Sequence, residues 1–271
     1  MSKIVIEKAA GWRMSDIKEL VAYRDLLYFL VWRDVKVLYA QTIMGFSWAI
    51  LQPLVQIVMF TIIFGKVANL PTDGVPYFLF STVAIIPWTY MSTAMSGSSM
   101  SLVSGQGMLG KVYFPRVIFP LTTILAKLVD FLISIVIVVV VMMYYKVTPS
   151  MNLIYLPLFI MFMIIIPLGV GLWCSSLSIR FRDVKFAMQF FIRMLMYTAP
   201  VVYAVSSIPN QYLFLYSLNP LVSVIEGFRV CLLGGTMDWG FILPGLITAL
   251  IILVTGALYF KRTEHIVVDV I

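Results

Sequence analysis

Residues 43–64 constrain the fold most, because this run contains no Asp, Glu, Lys or Arg. It is long enough to cross about 30 Å of hydrocarbon as an α-helix. Directly before it, residues 16–40 carry apolar side chains at helical spacing and charged side chains on the opposite side. Such a pattern is typical of an amphipathic helix at a membrane surface. We therefore predict an interface helix that continues into the first membrane span.

The two sides of this interface helix can be assigned from the spacing of its residues. The apolar side is predicted to consist of Ile17, Leu20, Val21, Leu27, Tyr28, Val31, Val35 and Leu38. The charged side is predicted to consist of Lys18, Asp25, Arg33 and Lys36. Arg24 falls on the apolar side, so we expect its charge to be available to another protein.

The composition agrees with a chain that lies mostly in a membrane. The 271 residues are 62% hydrophobic and 11% charged, whereas soluble domains are about 25% charged. The sequence predicts an all-α integral membrane protein in which residues 1–271 form a single transmembrane domain. Six spans are predicted, at about 43–64, 75–95, 117–145, 153–179, 186–205 and 241–260.

Residues 212–233 are apolar, but Asn219 and Pro220 interrupt them, and Glu226 and Arg229 follow. Each half is too short to cross a bilayer. We predict two short helices that enter the membrane from the outer side and return, forming a re-entrant hairpin before the last span. Irregular backbone at that depth must be covered by protein or must line a water-filled space.

The basic residues predict the orientation of the chain. With the N-terminus in the cytoplasm, the outer loops carry only Lys66, Lys146 and Arg229, and most other Lys and Arg residues lie inside. This distribution follows the positive-inside rule and explains the net charge of +7 without a nucleic-acid partner. We predict a multi-pass protein with both termini in the cytoplasm.

Several classes of function find no support in the residues. His265 is the only histidine, and Cys174 and Cys231 form no CxxC pair, so we expect no metal site. The run from Gly105 to Val112 resembles a phosphate-binding loop but lacks the Ser or Thr that would hold magnesium. We expect no catalytic residues in this chain, and we expect any ATP and magnesium to bind to a partner.

Four ionisable residues within apolar segments form two pairs at a spacing of three residues. Lys127 can pair with Asp130, and Glu226 can pair with Arg229. A pair of this kind can be structural or functional. An ion-coupled carrier usually needs an unpaired acidic residue in a span, and the sequence offers no good candidate.

Aromatic residues recur every seven positions in two places: Trp32, Tyr39 and Phe46 in one, Phe190 and Tyr197 in the other. One interpretation is anchoring at the membrane interface combined with packing. The other is a stripe that faces a sugar chain, because pyranose faces stack on aromatic rings. We expect these five residues to line a channel.

Four stretches resemble the permease subunits of type-2 ABC transporters, and most closely the polysaccharide and O-antigen exporter branch. They are residues 32–36 continuing to Gln52 and Pro53, residues 111–116 continuing to Pro120, residues 180–184, and residues 219–229. The four stretches occur in the family's order and cover nearly the whole chain.

The resemblance implies a homodimer bound to two ATPase subunits in the bacterial cytoplasmic (inner) membrane. It implies six spans, an N-terminal interface helix and two short re-entrant helices near the outer face. The expected substrate is a lipid-linked polysaccharide of the O-antigen, capsule or teichoic-acid type. The alternatives are an ABC exporter of a drug or a lipid, an ion-coupled secondary transporter and a membrane-embedded glycosyltransferase.

Charge at the cytoplasmic face indicates where an ATPase would bind. The residues predicted to form this coupling interface are Tyr23, Arg24, Asp25, Arg182, Asp183 and Lys185. The residues predicted to form an outer gate are Asn219, Pro220, Glu226 and Arg229. We expect the Glu226–Arg229 pair to be the main contact that holds the hairpin in place.

Overall fold

A computed structural model describes residues 14–40, 44–109 and 114–263. Residue 43, where the first span was predicted to start, lies outside the described residues, as do residues 111–113 and His265. The α-helices are α1 Met14–Ala22, α2 Arg24–Tyr39, α3 Ser47–Phe60, α4 Tyr77–Ser104, α5 Gln106–Leu109, α6 Ile118–Tyr144, α7 Leu156–Arg180, α8 Val184–Thr198, α9 Asn210–Ser217, α10 Pro220–Leu233 and α11 Trp239–Thr263. A π-helix, Thr61–Val67, extends α3, and 3₁₀ turns lie at Met151–Tyr155 and Val205–Ser207.

Five helical segments within the described residues are long and apolar enough to cross a membrane. They are Ser47–Val67, Tyr77–Met108, Ile118–Tyr144, Met151–Arg180 and Trp239–Thr263. They coincide with the predicted first, second, third, fourth and sixth spans. The predicted class, an all-α integral membrane protein, is confirmed.

The second span extends beyond its predicted end at residue 95. From Ser96 the sequence is rich in Ser and Gly, yet α4 continues through it to Ser104. Its small side chains allow neighbouring helices to approach closely. A Cβ added at Gly97 would collide with Thr123 of α6, and Ser98 occupies the space beside Gly171 of α7. The Ser- and Gly-rich composition therefore indicates close helix packing here.

The predicted fifth span differs from the other five. Its helix, α8, has 15 residues and ends at Thr198, whereas a span needs about 20. Pro200 explains the early end, because the residue before a proline is disfavoured in helical conformation. Irregular backbone continues from Ala199 to Ala204. The count of six spans therefore stays a prediction.

The interface helix is not one continuous amphipathic helix, since α1 and α2 are separated at Tyr23. Its apolar side was predicted only in part: Val35 is buried, as expected, but Val21, Tyr28 and Leu38 are exposed, and Leu30, which was not assigned to that side, is buried. The reason is that α2 packs along the first half of α6 through one narrow line of side chains. The residues predicted to form the charged side are exposed, as expected: Lys18, Asp25, Arg33 and Lys36.

Two clusters of buried side chains define the two ends of the bundle. The smaller cluster joins Leu30 of α2 to Leu102, Ile118, Leu172 and Phe260, which lie where α4, α7 and α11 end and α6 begins. We call this the N-terminal end. The larger cluster extends to the start of α4 and to α10. We call that end the hairpin end, because α9 and α10 lie there.

The segment predicted to be a hairpin contains two short helices, α9 and α10, while its re-entrant path in the membrane stays a prediction. Pro220 is the first residue of α10, and the Asn219 side chain accepts a hydrogen bond from the Leu221 backbone N–H at 3.1 Å. Asn and Pro favour these two positions at a helix start. Most of α10 is buried against α4, α7 and α11. The expectation that mainly one ion pair holds the hairpin is therefore wrong.

Candidate functional site

The residues predicted to contact an ATPase lie at the N-terminal end of the bundle. Arg24 and Asp25 begin α2, where their side chains are exposed and 3.7 Å apart. Arg182, Asp183 and Lys185 are exposed in the turn between α7 and α8 and at the start of α8. Tyr23 differs from the others, since it packs against the smaller core cluster. The structure thus brings two charged surfaces to one end of the bundle.

A polar network joins α2 to α6 at the level where α3 begins. Lys127 and Asp130 form the predicted pair, with Nζ 3.1 Å from Oδ2. The Tyr39 hydroxyl donates a hydrogen bond to the other oxygen of Asp130. Burial, together with the adjacent Asp130, raises the pKa of the Tyr39 phenol, so the phenol keeps the proton that it donates. The Ser134 hydroxyl donates to the Ala49 carbonyl at 2.9 Å and ties α3 to the same part of α6.

The first aromatic group comes together in space. Trp32, Tyr39 and Phe46 line one apolar cavity of about 330 Å³, and the rings of Tyr39 and Phe46 are 4.1 Å apart between centroids. Phe190 and Tyr197 lie apart from them on an exposed face of α8, which they share with Phe186. The exposed Arg193 lies on that face too, three residues after Phe190 and four before Tyr197.

Arg229 is buried at the hairpin end and contacts three segments of the chain. Its guanidinium lies 3.8 Å from the centre of the Phe80 ring in α4 and 3.5 Å from the Glu226 carboxylate. It donates hydrogen bonds to the carbonyls of Val201 and Tyr203, at 3.5 and 3.4 Å. The predicted pair therefore forms, and Arg229 connects α10 to the irregular backbone after α8.

Glu226 is less buried than Arg229 and borders a cavity of about 430 Å³. Burial raises the pKa of the Glu226 carboxyl, and the Arg229 guanidinium opposes that rise by favouring the charged form. Asp73 and Ser206 also line this cavity, and the Ser206 hydroxyl donates to Asp73 at 2.8 Å.

The sequence analysis did not identify several residues that surround Arg229 and the Lys127–Asp130 pair. Phe80, Asp73 and Ser206 lie far from Arg229 in sequence, so no local pattern could connect them. Trp48 and Gln52 stand within a family-like stretch, but only the fold places them beside Lys127 and Asp130.

Comparison with known proteins relates this geometry to a family. The family described as ABC-2 type transporter matches residues 25–233. The O-antigen export system permease protein RfbA of Klebsiella pneumoniae is 27% identical over 242 residues, covering 89% of this chain and 93% of that protein. The protein of the same name from Myxococcus xanthus is 26% identical over 215 residues, covering 79% and 82%.

A relative whose name specifies a different cargo matches over a similar length. The polysialic acid transport protein KpsM of Escherichia coli is 24% identical over 242 residues, covering 86% of this chain and 91% of that protein. Since the family match covers well over half of the sequence and the described helices form the expected all-α membrane bundle, the chain belongs to the ABC-2 type transporter family.

Proposed function

We propose that this chain is the membrane-spanning subunit of an ATP-driven exporter that moves a lipid-linked polysaccharide across the bacterial cytoplasmic membrane. The observation that carries the proposal is the similarity, over 86% to 89% of this chain, to relatives whose names specify O-antigen export and polysialic acid transport. Both cargoes are long sugar polymers. We expect an O-antigen, capsule or teichoic-acid type polymer on a lipid carrier.

The transporter works as a homodimer with two ATPase subunits, which bind ATP and magnesium. The coupling interface consists of Arg24 and Asp25 on α2 and the charged turn before α8. These two surfaces lie at the same end of the bundle, which supports joint contact with one ATPase subunit. Charged surfaces set the register between subunits and resist misalignment. The N-terminal end then faces the cytoplasm, and the hairpin end faces outwards.

The conduit lies between two copies of the chain, along α3 and α8. Both helices have long exposed faces in one protomer. The face of α8 that carries Phe190 and Tyr197 also carries Arg193, and a cation facing lipid at this depth is costly. This supports placing the face in a hydrated space, where the aromatic rings contact the moving sugar chain. Trp32, Tyr39 and Phe46 line the cytoplasmic approach.

The hairpin end closes the conduit through Asn219, Pro220, Glu226 and Arg229. Arg229 contacts the backbone that directly follows α8, so a shift of α10 displaces the end of the α8 segment. That link supports a gate formed by α10 and residues 199–204 together.

Deletion of the gene from its host tests the proposed function. We expect surface polysaccharide to disappear and lipid-linked polymer to accumulate on the cytoplasmic side, because synthesis continues while export stops. A plasmid copy should restore both. Unchanged surface polysaccharide, or a deletion strain that instead accumulates a drug, would refute the proposal.

A further inference from the structure

A cleft of about 370 Å³ lies between α2, α3 and α6. Small-ligand sites have volumes of about 300 Å³ and more, so the cleft falls within their range. It is lined by Leu38, Tyr39, Trp48, Ala49, Gln52, Lys127 and Asp130. Its charged residues are part of α6, one of the five segments able to cross the membrane. Lys127 lies nine residues after the start of α6, which corresponds to about 14 Å along the helix.

A charged pair at that depth needs protein or water around it. Here the side chains of Lys127 and Asp130 remain 23% and 26% exposed, and the cleft is the space beside them. A smaller pocket of about 70 Å³ shares Ala49, Gln52, Lys127 and Asp130 and continues to Thr89. The buried Thr89 hydroxyl has no hydrogen-bond partner in the described part of the chain. The cleft is therefore a polar recess between the helices that is partly open to the outside.

The charges of the cleft limit what it can bind. Lys127 would attract an anion, but Asp130 lies 3.1 Å from its ammonium and repels one. A cation would be attracted by Asp130 but repelled by Lys127. The two groups together are close to neutral, so they favour a ligand that accepts and donates hydrogen bonds without a net charge. Gln52, exposed on α3, adds one further donor and acceptor of the same kind.

The aromatic residues narrow the ligand class further. Trp48 is 41% exposed, and its ring borders the cleft together with the ring of Tyr39. An indole offers a flat apolar face of the kind that covers the C–H side of a pyranose ring. Hydroxyl groups on the edge of such a ring can donate to Asp130 and accept from Lys127.

We infer that this cleft is a binding subsite for one or two uncharged sugar units, located at the cytoplasmic entrance of the protein. Trp48 covers the ring face, and Gln52, Lys127 and Asp130 hold the hydroxyl groups. Because Tyr39 also ends α2, an occupied cleft connects the sugar to the helix that carries Arg24. The inference rests on the proposed function and adds to it the place where the polymer is recognised.

A binding experiment on the purified full-length protein tests this inference. The protein carries 5-fluorotryptophan at its six tryptophans and is placed in phosphatidylglycerol nanodiscs. Trp48→Phe identifies the fluorine resonance of that residue. The probe is the mixture of short oligosaccharides released by mild acid from the surface polymer of the host. We expect the probe to shift the Trp48 resonance in a saturable way, whereas inorganic pyrophosphate leaves it unchanged.

Two variants and one control make the result specific. Gln52→Leu removes a donor and an acceptor, and Asp130→Asn replaces a charged acceptor with a weaker neutral one, so each should weaken oligosaccharide binding about tenfold. Gln52 is exposed and contributes no described hydrogen bond to the fold. The melting temperature of Gln52→Leu should therefore equal that of the wild type. Ile50→Leu, on another face of α3, is the matched control and should bind normally.

Three outcomes would overturn the inference. The first is a Trp48 resonance that the oligosaccharides leave unchanged, and the second is unweakened binding in Gln52→Leu. The third is a shift caused by adding phosphatidylethanolamine to the nanodiscs and not by the sugar, which would make the cleft a lipid headgroup site. Each result is read beside the deletion strain. If the deletion strain loses its surface polymer but no sugar binds in the cleft, the subsite is rejected and the proposed exporter function is retained.

Discussion

At the scale of single residues, Arg229 is buried among groups from three parts of the chain. The Glu226 carboxylate is the only acidic group within 4 Å of its guanidinium among the described residues. The carbonyls of Val201 and Tyr203 and the ring of Phe80 provide the remaining contacts. A guanidinium in this position is held by several weak, long hydrogen bonds, so its charge depends strongly on Glu226 for compensation.

Glu226→Ala should lower stability and loosen the hairpin end. Removing one member of a buried ion pair leaves the other charge uncompensated, which typically costs about 3–5 kcal/mol. We expect a lower melting temperature together with leakage of small solutes from proteoliposomes, because Arg229 no longer fixes residues 199–204. A lower melting temperature without leakage would assign the pair a purely structural role. A tight, fully stable variant would contradict both roles.

Gly227→Ala should destabilise the contact between α10 and α7. A Cβ at residue 227 would enter the space occupied by the Phe159 ring, which is fully buried and has little room to move. Overpacking of this kind costs about 1–3 kcal/mol. Gly107→Ala is the control, because a Cβ there meets no atom within 4 Å. Differential scanning fluorimetry should separate the two variants; equal melting temperatures would contradict the described packing.

At the scale of elements, α2 connects the exposed charges at the N-terminal end to the polar network at Tyr39. Arg24→Glu should uncouple ATP hydrolysis from export while the complex still assembles. The Arg24–Asp25 pair is largely exposed, and such pairs contribute little to folding, so the effect should arise at the subunit contact.

Arg33→Glu is the matched control for this change. Arg33 also pairs with the next residue, Asp34, but it lies on the opposite side of α2. ATPase activity and export are measured in parallel on reconstituted complexes. Arg24→Glu should hydrolyse ATP without export, whereas Arg33→Glu should keep both activities. Normal export by Arg24→Glu, at a normal level of expression, would contradict a coupling role for Arg24.

Most of the helices could be predicted from sequence because hydrocarbon thickness dictates their length. The end of α4 could not, since Ser and Gly indicate a loop in water but close helix packing inside a bundle, as at Gly97 and Gly171. The burial of Leu30 on α2 could not, because only the packing of the other helices brings that side chain into the core. The two ion pairs were predictable from their spacing, whereas Tyr39 and Phe80, their distant neighbours, were not.

At the scale of the whole molecule, the described helices leave long apolar faces of α3 and α8 exposed. A second copy of the chain would cover part of these faces and enclose the aromatic side of α8. Cysteine at Tyr197 should therefore form a crosslink between two copies in the resting transporter. Cysteine at Leu132, a similarly exposed position on α6, should remain unlinked. If only positions on α6 or α11 crosslink, the proposed arrangement is wrong.

The identity of the transported molecule tests the central claim most directly. The complex with its ATPase can be purified from the native host in a hydrolysis-deficient form, so that cargo stays bound, and the co-purified material can be analysed by mass spectrometry. We predict a polysaccharide attached to a lipid carrier, enriched over a control preparation that lacks this subunit. A drug-like compound or an unglycosylated lipid enriched in its place would contradict the account.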